Sequence, residues 1–348
     1  MEITQTDMTP DERQERIAMV RDSAEGVLRD DLARARRLRF GTKGYESEKL
    51  EEFAVLGWIA MLLPENRGGL GLGMSELAAI ACELGRRLTP EPVWQMAVAA
   101  SVLAEDALLA GSAVVLPAFA SPGAAIPKLS GDRLTGVVEL LPLGGSASAF
   151  VVESDAGLVL VSASAEGVTC LVRESHDGAH LARLTFSDVP ARRLEGDAWL
   201  LREWATLALS AYSLGLSEAA FEITRIYLTD RRQFDKPIGS FQVLQHKMVD
   251  LFLELSLARA AVEQAAETCD DRGNDRQEIR RQVSLARIQS GKAADLVTRA
   301  AIQLHGGIGY TDEADIGLYL RKNMVLSGLM GSTAFHQARA FELLENQQ

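Results

Sequence analysis

Arg231-Arg232-Gln233-Phe234-Asp235-Lys236-Pro237-Ile238-Gly239-Ser240-Phe241-Gln242 is the stretch on which the fold turns. Pro237 cannot continue a helix, and the Gly239-Ser240 pair after it stops one segment and starts the next, with Ser240 placed as an N-cap. Helical periodicity runs up to it over 199–230 and away from it over 241–271. A third periodic segment, 278–304, ends at Gly306-Gly307, two residues suited to closing a helix, and a fourth covers 323–344. Four long segments with short connections predict an antiparallel four-helix bundle over 198–348.

Upstream the texture changes. Short β-type runs at 114–119, 134–141, 149–153, 158–162, 169–173 and 181–186 are separated by Gly, Pro, Ser and Asp. With no helix between them they predict a small antiparallel sheet or barrel over 112–197. Residues 1–111 read as helical again, at 11–39, 47–56, 75–87 and 94–109. The glycine-rich Leu63-Pro64-Glu65-Asn66-Arg67-Gly68-Gly69-Leu70-Gly71-Leu72-Gly73 follows no strand and lacks the spacing of a phosphate loop, so it reads as a tight connection between helices. The whole is mainly α with a central β domain: N-terminal helical domain, small β-sheet or barrel, C-terminal four-helix bundle.

The 348 residues are enough for two or more domains at about 150 residues each. No run approaches the roughly 18 apolar residues of a membrane span, and the polar, acidic N-terminus lacks a secretory pattern, so a cytoplasmic protein is expected. With 36 Lys and Arg against 48 Asp and Glu, the net charge of −12 argues against nucleic acid or an anionic membrane as partner. Cys82, Cys170 and Cys269 are far apart without CxxC spacing, and the five histidines show no HExxH, so no metal site is expected and the thiols read as buried and unreactive.

The 231–242 motif, a second motif Gln303-Leu304-His305-Gly306-Gly307-Ile308-Gly309-Tyr310, and the helical, β, four-helix order together resemble the acyl-CoA dehydrogenase family of flavoproteins. Weaker echoes are Pro64-Glu65 before Gly68-Gly69, and Phe186-Ser187-Asp188-Val189-Pro190 closing the β region. The resemblance implies FAD, and it implies that these motifs reach the ADP half of FAD in a neighbouring chain. The residue types fit that role. Arg231 offers a guanidinium fork to a pyrophosphate, Phe234 an apolar face, and Gln242 and Gln303 hydrogen bonds. Gly306 and Gly307 let backbone N–H groups come close, and His305 lies in the same loop. Taken singly, Arg231 and Arg232 are a solvated helix end and the glycines a C-cap; jointly they read as cofactor binding.

The family's reaction is α,β-dehydrogenation of an acyl-CoA, with a carboxylate taking the α-proton and the β-hydrogen leaving as hydride to the flavin. The resemblance places that glutamate before a Gly-Ser or Gly-Thr pair. Here the residue before Gly331-Ser332 is Met330, whose thioether cannot accept a proton at neutral pH. The position used by a few members, about ten residues before Gly215, is Ala205. Glu203 is two residues away, roughly 200° around a helix, and reads as a solvated first-turn acid. Met324, Leu329 and Met330 read as core or pocket lining. The family's flavin-ring contacts are also missing: Leu116-Pro117-Ala118-Phe119-Ala120-Ser121-Pro122-Gly123 stands near one, and Leu140-Leu141-Pro142 near the other, where Pro142 has neither hydroxyl nor N–H.

What serves a chain's own active site is gone, and what serves a neighbour's FAD remains. That pattern is similar to the shortened, base-lacking subunit of α2β2 steroid-type acyl-CoA dehydrogenases. The resemblance implies a second subunit carrying the base, an acyl-CoA substrate such as a steroid-CoA, and an electron-transferring flavoprotein as acceptor. The alternatives are an active homotetramer with another base such as Glu203, and a family-derived protein with a structural or binding role.

Overall fold

The computed structural model describes residues 10–28, 31–271, 273 and 275–345. The N-terminal helices are α1 (Pro10–Val27), α2 (Asp31–Leu38), α3 (Ser47–Val55), α4 (Met74–Arg86), α5 (Val93–Ala100) and α6 (Asp106–Leu109). The single helices expected over 11–39 and 94–109 are therefore each two. The glycine-rich 63–73 segment is a connection: a 3-10 turn at Glu65–Arg67 followed by Gly68 in the left-handed region.

The β region forms two four-stranded sheets in place of one sheet or barrel. Its strands are β1 (Val115–Ala118), β2 (Lys128–Ser130), β3 (Arg133–Pro142), β4 (Ala149–Ser154), β5 (Gly157–Ser162), β6 (Val168–Glu174), β7 (His180–Pro190) and β8 (Arg192–Arg193). One sheet runs β2-β3-β7-β6 and is antiparallel throughout; the other runs β1-β4-β5-β8, and there β1 pairs parallel with β4. The short β2 and β8 carry no period-2 pattern long enough to be read from sequence.

Four helical stretches follow, the last in two pieces: α7 (Ala198–Asp230), α8 (Gln242–Asp270), α9 (Arg276–His305), α10 (Ile316–Leu326) and α11 (Thr333–Glu345). The fourth helix expected over 323–344 is broken because Met330 and Gly331 both take positive φ, +56° and +106°. Asp197 caps α7 by accepting from the Trp199 and Leu200 N–H groups, and Asp275 caps α9 through the Glu278 N–H. Ser240 is not the cap of α8. It sits inside a 3-10 turn and its hydroxyl donates to the Pro237 carbonyl at 2.7 Å, leaving Phe241 at the N-cap position.

α4 and α7 lie unusually close. A Cβ at Gly85 would stand 2.0 Å from the Tyr212 carbonyl oxygen, and one at Gly215 would stand 1.8 Å from that of Cys82, so only glycine permits this approach. The seam fixes the N-terminal helices against the bundle. Lys322 Nζ on α10 meets Asp177 at 2.9 Å and ties the β region to the same body.

Candidate cofactor surface and a closed cleft

α7 hands over to the first motif at Arg231, whose N–H still donates to the Tyr227 carbonyl at 2.9 Å. Arg232-Gln233 and Lys236-Pro237 then form a two-rung antiparallel ladder. Its turn residues Phe234 and Asp235 both have positive φ, +53° and +63°, the conformation a tight two-residue hairpin demands. The turn throws Phe234 into solvent at 83% exposure, edge-on to Phe241 at 6.0 Å, while Lys236 Nζ covers the Phe241 ring at 4.2 Å. Arg231 and Gln242 are exposed on the same connection.

Tyr227 joins this segment to the second motif. Its ring stacks on His305 at 4.3 Å and its hydroxyl donates to the His305 carbonyl at 3.2 Å. The ends of α7 and α9 are thereby locked together, and Gln303, Gly306 and Gly307 stand exposed at that junction. His305 itself turns inward. Its ring is buried, Nδ1 lies 2.8 Å from the Ala301 carbonyl, and burial lowers its pKa, so the ring is a neutral structural element rather than an outward contact. Tyr227 was not picked out from sequence, although a tyrosine one helical turn before Arg231 shares its face and was the available signal.

Beside the expected base position is a cleft of only about 60 Å³, lined by Trp94, Phe119, Leu140, Pro142, Ala205 and Met330 among others. Small-molecule pockets usually hold about 300–1,000 Å³. Two lips narrow it. One is a register shift in β3 between Val138 and Leu141, where Leu140 takes φ +58°. The other is the turn between α10 and α11, which is held by buried cations and rings. Arg287, fully buried and with no carboxylate partner among the described residues, donates to the carbonyls of Leu326 at 2.7 Å and Leu329 at 3.2 Å. It stands where the C-terminal end of α10 is partially negative, and burial pulls its guanidinium down to about 10, still protonated at neutral pH. His336 Nε2 donates to the Met330 carbonyl at 3.0 Å, and burial with the nearby Arg339 and Arg287 charges pushes that ring down to about 3, so it is neutral.

Ala205 lines the cleft and Glu203 does not, as the helical rotation requires. The reading of Glu203 as a solvated acid is wrong, however: it is completely buried. Arg339 grips both its oxygens, at 2.7 and 3.0 Å, and itself reaches the Ser284 hydroxyl at 2.8 Å. Burial pushes the Glu203 carboxyl up while Arg339 and Arg280 oppose it. Met324 is half-exposed, contrary to its expected place in core or pocket, whereas Leu329 is buried and Met330 faces the cleft. Of the cysteines, Cys82 is buried with its thiol pushed up to about 12, Cys269 is partly buried, and Cys170 is exposed on β6, where a buried thiol was expected. Among the described residues no group of three His, Cys, Asp or Glu could hold a metal, and no helix is long and apolar enough to cross a membrane.

For FAD the two places give opposite answers. The hairpin and the 303–307 junction present a guanidinium, amides and glycines with open space over their Cα atoms, a surface that fits the nucleotide half. The cleft does not fit a flavin ring, because its volume of about 60 Å³, lined by Leu140, Pro142 and Met330, leaves no room for one and Pro142 offers no donor.

The chain belongs to the acyl-CoA dehydrogenase family. Residues 11–116 match the acyl-CoA dehydrogenase N-terminal domain and residues 203–340 the C-terminal domain. Among similar proteins, the acyl-CoA dehydrogenase IpdE2 of Mycolicibacterium smegmatis is 31% identical over 79% of this chain and 81% of the relative. A solved variant of the Tcur3481-Tcur3483 steroid ACAD superposes with a TM-score of 0.87 at 27% identity, covering 96% of this chain and 99% of the other. The ChsE4-ChsE5 complex of Mycobacterium tuberculosis shares the fold, with a TM-score of 0.85 at 23% identity over 97% and 98% of the two chains.

Proposed function

We propose that this chain is the base-lacking subunit of a heteromeric FAD-dependent acyl-CoA dehydrogenase, acting in the cytoplasm on an acyl-CoA of steroid type. The observation that carries the reading is Met330, its carbonyl bonded by His336 and its neighbour Leu329 by Arg287, where the family's glutamate belongs, beside a cleft too small for a flavin ring. FAD, when bound at the partner's site, supplies the acceptor for the hydride leaving the β-carbon. The α-proton goes to a glutamate of the partner, since neither Met330 nor Glu203, both of whose oxygens are engaged, is free to take it.

This chain's part is binding and positioning. Arg231 pairs with the pyrophosphate, Phe234 covers an apolar part of the nucleotide, and Gln242 and Gln303 hydrogen-bond it. The backbone at Gly306 and Gly307 approaches it closely, while Tyr227 and His305 keep the two segments in register. Next to this surface α8 exposes Val249, Phe252, Leu253 and Leu257, each more than half exposed, an apolar stripe suited to the second subunit. The two-protein steroid ACAD similar to this chain supports the same assembly, and reduced flavin would pass its electrons to an electron-transferring flavoprotein. The domain division 1–111, 112–197 and 198–348 is part of this reading.

The test is co-expression with an acyl-CoA dehydrogenase subunit that keeps the glutamate, followed by a flavin count on the purified complex. One FAD for every two chains is expected. One FAD per chain overturns the reading.

A further inference from the structure

A cavity larger than the cleft lies elsewhere among the helices. It lies between α1, α4, α7 and α8, holds about 330 Å³, and joins the N-terminal helices to the bundle, the kind of junction where small-molecule sites concentrate. Protein interiors rarely leave voids much larger than a water. This one persists because its floor is made of small side chains, Ala78, Ala79 and Ala266, beneath Leu214 and Val262. The glycine seam at Gly85 and Gly215 fixes α4 against α7, so the floor cannot shift to fill it.

The polar groups around it are unequally satisfied. Ser75 donates to Asp270, and Arg259 is paired with Glu218 and Glu263. Glu263 and Glu267 are exposed and stand at the mouth. Arg21, in the α1 wall, has its Nε buried with no hydrogen-bond partner among the described residues. Glu83 feels the Arg21 charge, but its carboxylate pairs with Arg86 at 3.3 Å and accepts no hydrogen bond from Arg21 Nε. A chamber with an apolar floor and one unanswered cationic donor in its wall is complementary to an aliphatic body with an anionic oxygen head.

We propose that this cavity binds a small amphiphile, a carboxylate on an aliphatic body, with the carboxylate on Arg21 and the hydrocarbon over Ala79, Leu214 and Ala266. The site bridges α1 and α4 to α7 and α8, so its occupant clamps the N-terminal helices onto the bundle. It is independent of the flavin surface and of the cleft.

The probe is octanoate, titrated into the full-length chain carrying labelled alanine methyl groups, with 1-octanol as the headless control. Saturable shifts at Ala78, Ala79 and Ala266 are expected, with octanoate binding at least tenfold tighter than octanol. Arg21→Met should weaken octanoate at least tenfold, bringing it level with octanol. Ala266→Leu should abolish binding without lowering the denaturation midpoint, because the new side chain fills existing space. Absence of shifts at these methyls, equal affinity for octanoate and octanol in the unaltered chain, or unchanged octanoate affinity in Arg21→Met would each overturn the assignment.

Discussion

The hairpin at 232–237 and the turn at 327–332 both hold non-glycine residues in the left-handed backbone region, and they use it in opposite directions. At the hairpin, Phe234 and Asp235 present an aromatic ring to solvent with almost nothing of its own chain around it. At the turn, Met330 is directed into a cleft and its carbonyl is fastened by a buried histidine. Each such residue costs of order 1–3 kcal/mol and persists only where surrounding contacts determine it. Around the hairpin those contacts are few and local, so its conformation serves something outside the chain. Around the turn they are many and buried, so its conformation serves the chain's own packing. Substitutions should therefore separate the two regions: inward residues change stability, and outward residues change cofactor binding.

Glu203 should give the largest effect of all. Glu203→Ala leaves Arg339 buried beside Arg280 with no carboxylate, and stranding one member of a buried pair costs roughly 3–5 kcal/mol. Urea denaturation of the free chain would show it. Glu203→Gln in the assembled enzyme should lose stability without losing the chemical step, and a specific collapse of turnover in that variant at full occupancy of FAD would make Glu203 a base after all.

Arg231→Ala comes next and on the other side of the comparison. The guanidinium is exposed, so stability of the free chain should move by less than about 0.5 kcal/mol. In the complex, loss of a charge-assisted contact worth roughly 1.5–3 kcal/mol should weaken FAD retention about ten- to a hundredfold, measured by flavin release on dilution. Unchanged retention would reduce Arg231 to a helix end.

The division also explains what could be read from the residues alone. The long helices and the two motifs were legible because periodicity and glycine or proline punctuation are local, and Met330 before Gly331-Ser332 was legible because it is one residue type at one position. The break between α10 and α11 was not, since Met330 has no intrinsic preference for positive φ and the turn is held by His336 on the Met330 carbonyl and by the sequence-distant Arg287 on those of Leu326 and Leu329. Glu203 was misread for the same reason. A carboxylate in a first helical turn reads as solvated until its partner, Arg339, is folded back from the other end of the bundle. Tyr227 went unnoticed because its role depends on His305 arriving beside it.

A smaller, pH-dependent effect tests how firmly the turn is pinned. His336 titrates near 3 when folded against about 6.5 when exposed. Its folded pKa is depressed, so the native state gives up a proton that the unfolded chain keeps. Its contribution is fully present above about pH 6.5 and is lost as pH falls toward 3, at up to roughly 1.4 kcal/mol per pH unit. His336→Gln, which keeps a donor for the Met330 carbonyl, should flatten the fall in urea midpoint between pH 7 and pH 5 relative to the unaltered chain. Parallel curves for the two proteins would mean that His336 is not the group responsible.

The smallest expected effect is the most discriminating. Met330→Glu puts a glutamate where the proposed reading expects the family's base, and because Met330 already occupies positive φ the exchange adds no backbone strain of its own. If a glutamate at this position were all that the proposed reading requires for activity, turnover would appear. The surroundings argue otherwise. The new carboxylate would face Leu140, Pro142 and Leu329 in about 60 Å³ of space, with no room for a flavin ring in front of it and apolar walls raising its pKa. The chain carrying Met330→Glu alone should therefore show no oxidation of any acyl-CoA with an artificial electron acceptor, and the same variant in the complex should leave both the flavin count and the rate unchanged. Measurable turnover by the isolated variant would show that the cleft opens to admit FAD, and the contrast between a presenting surface and a closed one would fail at its closed end.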